Sequence, residues 1–346
     1  MLTGGDGKEN GKYLLSTEIY PSTPDCWLPH LPRKRSYHMT LVTSEPLALV
    51  ATCGGKYKGD IKTTSCLVLD PFTQSWDESR MGDLTDTYNY AAAVTIDYIG
   101  VFVLGGLSTS QSSDFLAAGT LNWQRGPPLP VEMSRPCAVA ITATSFLVIY
   151  DKAIHEFDAA IADPTRSEGW QEPRRWPSLK RSRTGGHGCT IIGQSVVIAG
   201  GHSGYGDEDR SQTTEVLDIQ RRAIKSVGSM ASKRGSFHLA TLAFGGQDRV
   251  FAVGGYGGGL LDTVEEWVGE TSSWKPADSL AEIRSNFGAL ALPRHLICPS
   301  GELLSHLRFN THFDLLTNTQ ASQLQQCRAQ HMVRLCKRTQ FSSREV

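Results

Sequence analysis

Residues 234–284 read RGSFHLATLAFGGQDRVFAVGGYGGGLLDTVEEWVGETSSWKPADSLAEIR, and this stretch decides the fold. Short β-rich apolar runs (FHLATLA, VFAVGG, VEEWV) follow one another with turn residues between them and no helical period. A Gly-Gly pair at 254–255 ends the second run, and a strand carrying Trp274 closes the unit. Arg234 stands ahead of the first run, and Arg284 ahead of the run that comes next. Four short strands joined this tightly make one antiparallel sheet.

The unit recurs. Glycine pairs end LTGG at Gly5, LVATCGG at Gly55, VFVLGG at Gly106, VVIAGG at Gly201 and VFAVGG at Gly255, at spacings of 50, 51, 95 and 54 residues. The long gap is two periods, and FLVIYD, ending at Asp151, fills the missing place. Trp27, Trp76, Trp123, Trp170 and Trp274 keep the same period, and the fifth repeat has Ile224 at that point. Self-similarity near 50 residues marks a repeat architecture. Such sheets bury their faces only against one another, which closes them into a propeller. The chain starts inside a unit, at the strand ending in Gly4-Gly5, while Phe287 to Leu292 has the pattern of an opening strand without a unit of its own. The fold expected is all-β: a six-bladed propeller over 1–293, closed by that C-terminal strand, with a short non-propeller tail over 294–346.

Composition agrees with a packed domain. The 346 residues are 40% apolar and 20% charged, so the chain buries a core and is not disordered by composition. The net charge of −1 argues against a globally basic, nucleic-acid-binding surface. The figure conceals a division: residues 294–346 carry 7 Lys+Arg and 3 Asp+Glu, leaving the first 293 at −5. In that basic tail Ala321, Leu324, Cys327, Met332 and Leu335 share one face at helical spacing, with Asn318 or Thr319 as a cap; it is expected as a helical or disordered extension. The longest apolar run, AVAITATSFLVIY at 138–150, falls short of the ~20 residues of a membrane helix, and the N-terminus has no apolar leader. The 8 Cys are scattered singly without a CxxC, so reduced thiols and a cytoplasmic (or nuclear) location are expected.

Enzyme signatures are missing: no GxGxxG opening a helix, no phosphate-binding GxxxxGK(S/T), no HExxH and no G-x-S-x-G elbow. Cys327, His331 and Cys336 lack the fourth ligand of a structural zinc site, and His187 and His202 lack a matched Cys–Tyr pair for copper. No cofactor and no metal are expected. The residues that keep phase are arginines: Arg35, Arg135, Arg183, Arg234 and Arg284 each precede an opening strand, and the third unit reaches this point near Thr87. In a closed ring they stand at equal radius around one mouth, where guanidinium forks suit carboxylates. The same arginines can instead pair with Glu18, Glu215 and Glu265, and both roles stay open. Loops after the glycine pairs vary in length and charge, as a binding face does, and Tyr57, Tyr205 and Tyr256 are candidate anchors there. The repeat tryptophans read as core.

Apolar run, Gly-Gly, variable loop, (V/T)-E-x-(Y/L/W), Trp six residues after the Asp position, then Arg: this pattern resembles the kelch family over residues 1 to about 293. The fourth repeat departs most, with Tyr150-Asp151 in place of Gly-Gly and His155 in place of the glutamate. The resemblance implies a non-catalytic interaction module whose loop face holds a partner protein or peptide, an acidic segment included, as substrate receptor or scaffold. Family members that bind acidic degrons use arginine and serine at this position and in the loops of that face. Related peptide-binding propellers use tyrosine where Tyr256 stands. A nucleic-acid or membrane partner is not expected, and the propeller is expected to be a monomer. The upstream region of the family's ligase adaptors is not in this sequence, so ligase recruitment is not expected from it. Two alternatives come with the resemblance. One is an enzyme acting on a sugar or small metabolite in the central pocket, as kelch-type mutarotases and oxidases do, toward which Asp151, His155 and Glu156 lean. The other is actin binding.

Overall fold

Alternating short apolar runs and glycine turns fold into six antiparallel sheets, in a computed structural model that describes residues 1–292 apart from 8–12, 23–25, 108, 162, 205–207, 245 and 270–272, together with Ile297. The sixth sheet shows the full pattern: His238–Phe244, Gln247–Val253, Val264–Val268 and Ser273–Ala277, each paired with the next. The second, third and fifth sheets repeat this four-strand order, opening with Met39–Val42, Ala92–Ile96 and Gly185–Ile192. A small ribbon of Arg35–Ser36, Lys56–Tyr57 and Ile61–Lys62 stands beside the second sheet's glycine turn.

Among the described residues, two sheets have three strands where four were expected. In the fourth, Cys137–Ala140, Ser145–Tyr150 and Ala153–Asp158 pair, and short 3-10 turns at Ser167–Gly169 and Pro173–Arg175 follow. Phe157 still bridges Trp170 there. The first sheet is built from both ends of the described chain: Gly288–Ala289 pairs with Leu2–Thr3 (Leu2 opposite Ala289, Thr3 opposite Gly288), and Leu2–Thr3 pairs with Thr17–Glu18. Trp27 is 67% exposed, which corrects its assignment to the core. Trp123 is buried, and Trp76, Trp170 and Trp274 lean half-buried on the sheet before their own. Their indole N–H groups donate to the Pro29 carbonyl, the Pro128 carbonyl and Thr214 Oγ1.

The core lies between successive sheets. Phe102 of the third meets Phe146 and Phe157 of the fourth, with ring centroids 4.9 and 5.6 Å apart, and Phe115 lies beside Phe102 at 4.7 Å in the same cluster. Val197 and Val216 of the fifth meet Leu239, Val250 and Trp267 of the sixth. Phe251 and Val264 of the sixth meet Leu2, Phe287 and Ala289 of the first. Burying each of these side chains contributes ~1.5–3 kcal/mol, so no sheet is stable without its neighbours. No helix among the described residues is long and apolar enough to cross a membrane.

The expectation of reduced thiols is corrected. Cys53 and Cys66, opposite each other on paired strands, form a disulfide, and Cys137–Cys189 joins the opening strands of the fourth and fifth sheets. Cys26 is disulfide-bonded as well. The cytoplasmic expectation rested on free thiols and loses that support. The tail expected over 294–346 lies, apart from Ile297, outside the described residues, and with it the Cys327, His331 and Cys336 group.

Candidate functional site

The repeat arginines are joints. Arg234 is fully buried; NH1 donates to the carbonyls of Gly254 and Thr263 at 2.8 Å, and NH2 to Thr263 Oγ1 and Glu265 Oε1. Its own carbonyl accepts from the Gly201 N–H at 2.7 Å. One residue thus stitches the fifth sheet's glycine turn to the sixth sheet's. Arg284 repeats this with Gly4 O and Glu18, and Arg183 with Gly200 O and Glu215. Burial pulls the Arg183 guanidinium down to about 10, with Glu215 opposing the shift, so it stays charged at neutral pH. Each glutamate also accepts from backbone N–H groups just ahead of its arginine: Lys180 and Arg181 on Glu215, Ala231 and Ser232 on Glu265, Ala281 on Glu18.

Where the glutamate is missing, a substitute appears. Leu67 holds that register position in the second sheet, and Arg35 donates instead to the Tyr57 hydroxyl and to Ser65 Oγ, both at 2.8 Å. In the third sheet the pair becomes Tyr88 and Asp114, bonded at 2.9 Å. In the fourth it becomes Met133 and His155, both buried and neither charged, since burial holds the His155 imidazole below its usual range. The glycine pairs answer the same joint. Gly54, at φ 68°, sits where a Cβ would lie 2.6 Å from the Tyr88 carbonyl oxygen. Asp151, at φ 54°, takes the second glycine's place in the fourth sheet, and its N–H donates to the Arg183 carbonyl.

These contacts correct five assignments. Arg35, Arg183, Arg234 and Arg284 are at most 1% exposed and do not form a circle at a mouth. Tyr57 is no free anchor, because it completes the Arg35 cage. The structural equivalents of the repeat arginine are Tyr88 in the third unit, rather than Thr87, and Met133 in the fourth, rather than Arg135. Tyr205 lies outside the described residues. Asp151, His155 and Glu156 do not converge on a central cavity: Glu156 accepts from Trp176 Nε1 at 3.0 Å and Asp151 from Ser182 Oγ.

The residues that face an opening stand two positions after each buried one. Tyr37, Tyr90, Arg135, Ser236 and Asn286 all have left-handed backbone, φ 52–61°, and all line one pocket of about 510 Å3 with Asp6, Tyr13, Asp60, His202, Arg210 and Tyr256. Left-handed φ is unusual outside glycine. Its recurrence at one position of five links shows a backbone set by the joint, with the side chain left free to vary. Of the eight site residues named from sequence, Arg135 and Tyr256 are brought together here. The signal for the others was the same repeat period read two residues later.

Aromatic rings form one wall of this pocket. Tyr13 meets Tyr37 edge-on at 5.8 Å, Tyr37 lies 4.3 Å from Tyr90, and the Arg135 guanidinium sits 3.7 Å above the Tyr90 ring. On another side Arg210 lies 4.3 Å over Tyr256, which pairs through its backbone with Gly235. Arg135 NH1 is 3.3 Å from His202 Nε2; an arginine only donates, so that nitrogen accepts and the imidazole is neutral. Burial, then the charges of Arg135 and Arg210, hold His202 below its usual range. Further along, a cavity of about 600 Å3 is lined by the opening strands of all six sheets, His38, His187 and His238 among them. Among the described residues no group of His, Cys, Asp or Glu is arranged to hold a metal ion.

Comparison with known proteins gives limited support. No protein-family model matches the chain. The Kelch repeat-containing protein kel-10 of Caenorhabditis elegans is 24% identical over 139 residues, covering 40% of this chain. That match spans 24% of the relative's length. The similarity is weak, it points to a kelch repeat protein, and the all-β sheets are consistent with a propeller.

Proposed function

We propose that residues 1–293 are a six-bladed propeller closed by the pairing of Gly288–Ala289 with Leu2–Thr3, with 294–346 as a separate basic extension, and that the propeller is a non-catalytic interaction module. A partner segment is held at the pocket formed by the five left-handed link residues with Asp6, Tyr13, Asp60, His202, Arg210 and Tyr256. One observation carries this reading. At a position fixed by backbone geometry in five links, the chain presents Tyr, Tyr, Arg, Ser and Asn into a single opening. A rigid frame with varied side chains turned toward one cleft is how repeat scaffolds build binding surfaces. Kelch-type proteins generally bind other proteins, and the weak likeness to one of them supports the same reading.

The test is partner capture with the full chain, wild type against Arg135→Ala, Tyr256→Ala and Tyr37→Ala. Loss of one defined set of captured proteins with all three, at unchanged thermal stability, is expected. Identical capture by wild type and the three variants would remove the pocket from partner binding.

A further inference from the structure

Two of the charged side chains that line the pocket, Asp6 and Arg135, are opposite in sign and do not meet. Asp6 lies where the first sheet's glycine turn ends, its backbone locked to Ser285 by N–H···O bonds in both directions. One carboxylate oxygen accepts from Ser36 Oγ at 2.6 Å and the other from Asn286 Nδ2 at 2.8 Å. Both donors are neutral, and among the described residues Asp6 forms no ion pair. Arg135 enters the same pocket from the link between the third and fourth sheets, held by Tyr90 and by the neutral His202. Among the described residues it too has no acidic partner. Gly185 makes room for it, since a Cβ there would lie 3.1 Å from Arg135 Cβ and Cδ. Asp60, the other acid lining the pocket, is already paired with Lys56 at 3.2 Å.

A carboxylate and a guanidinium, each fixed by neutral neighbours in a half-buried site, gain most from a ligand that answers both. A ligand of one sign satisfies one of them and is repelled by the other. The pocket volume falls within the ~300–1,000 Å3 range of clefts that enclose a ligand. We infer that the pocket selects an extended peptide segment with charges of both signs, its carboxylate on Arg135 and its ammonium or guanidinium on Asp6. The tyrosine wall between the two takes the apolar part of the segment. The inference rests on the proposed binding of a partner segment at this opening, and it narrows the protein or peptide partner, an acidic segment included, that was expected from the sequence.

The test is selection of random ten-residue peptides displayed on phage, against the full chain as wild type, Arg135→Gln and Asp6→Asn. Enriched sequences are then synthesised for affinity measurement. Wild type is expected to enrich peptides with Asp or Glu and Lys or Arg at a recurring separation. Changing either charged residue of such a peptide to Gln should weaken its binding by about tenfold, the equivalent of ~1.4 kcal/mol. Arg135→Gln should lose the preference for the acid and keep that for the base; Asp6→Asn should do the reverse. The peptide substitutions read out on wild-type protein, so they decide the matter even where a variant folds poorly. Enrichment of peptides of one sign only, or of no charge pattern, overturns the inference and leaves segment binding standing. Failure to enrich any peptide overturns both.

Discussion

Residues of one chemical type divide here by two places in the sequence. Arg234 is inside, bonded to two carbonyls, a hydroxyl and Glu265, while Arg135 faces an opening over a tyrosine ring. Removing one partner of a buried ion pair leaves the other charge uncompensated, at a cost of about 3–5 kcal/mol. Arg234→Ala should therefore lower unfolding free energy by that order in a urea titration, whereas Arg135→Ala should change it by ~0.5 kcal/mol or less. Equal effects would mean that the two arginines are not doing different work. The sequence shows the joint clearly, because Gly-Gly, Glu and Arg recur in phase. It hides the opening, because Tyr37, Tyr90, Ser236 and Asn286 share a backbone conformation without sharing one residue type. A reading keyed to identical residues finds what the fold needs and passes over what varies for binding. Tyr57 fails for a related reason: only the loss of Glu to Leu67 in its own sheet explains why its hydroxyl is turned inward.

Strands were legible wherever apolar runs ended in glycine, and their pairing order followed. That the first and fourth sheets show three strands among the described residues was not, since Trp27 and Trp170 keep the repeat spacing whether or not a strand carries them. Disulfides were misread for a physical reason. Cys53 and Cys66 become neighbours only through strand register, and Cys137 and Cys189 only through the packing of adjacent opening strands. Peptide mapping without reductant should recover both linked pairs. Reduction should then lower stability, and Cys137–Cys189, separated by 52 residues, constrains the unfolded chain by about 4 kcal/mol in the chain-entropy account. Free thiols at all four positions in unreduced protein would overturn this.

The molecule as a whole should be sensitive to mild acid. His38 and His187 are held down to about 3 and His238 to about 4, in each case chiefly by burial, with nearby arginine charges adding to the first two. Such groups stay neutral in the folded protein while the unfolded chain binds protons below about pH 6.5, so stability falls as pH drops through the window from 6.5 toward 4. Each histidine adds a slope of roughly 1.4 kcal/mol per pH unit well inside that window, and none above pH 7. Urea titrations at pH 7.5, 6 and 5 check the trend, and His238→Gln should flatten it. A stability unchanged between 7.5 and 5 would show these rings to be reachable by water.

Thr3 and Gly288 face each other across a single strand pair, and that fixes an order of events in synthesis. Leu2–Thr3 leaves the ribosome well ahead of residues 288–289 and must wait for them before its three-stranded sheet is complete. At roughly 5–20 residues per second that wait is on the order of 15–60 s, long enough for the later sheets to form and stack meanwhile. A nascent chain stalled before residue 288 should therefore be protease-sensitive at Leu2–Glu18, and release past that point should protect that segment and Gly288–Ala289 together.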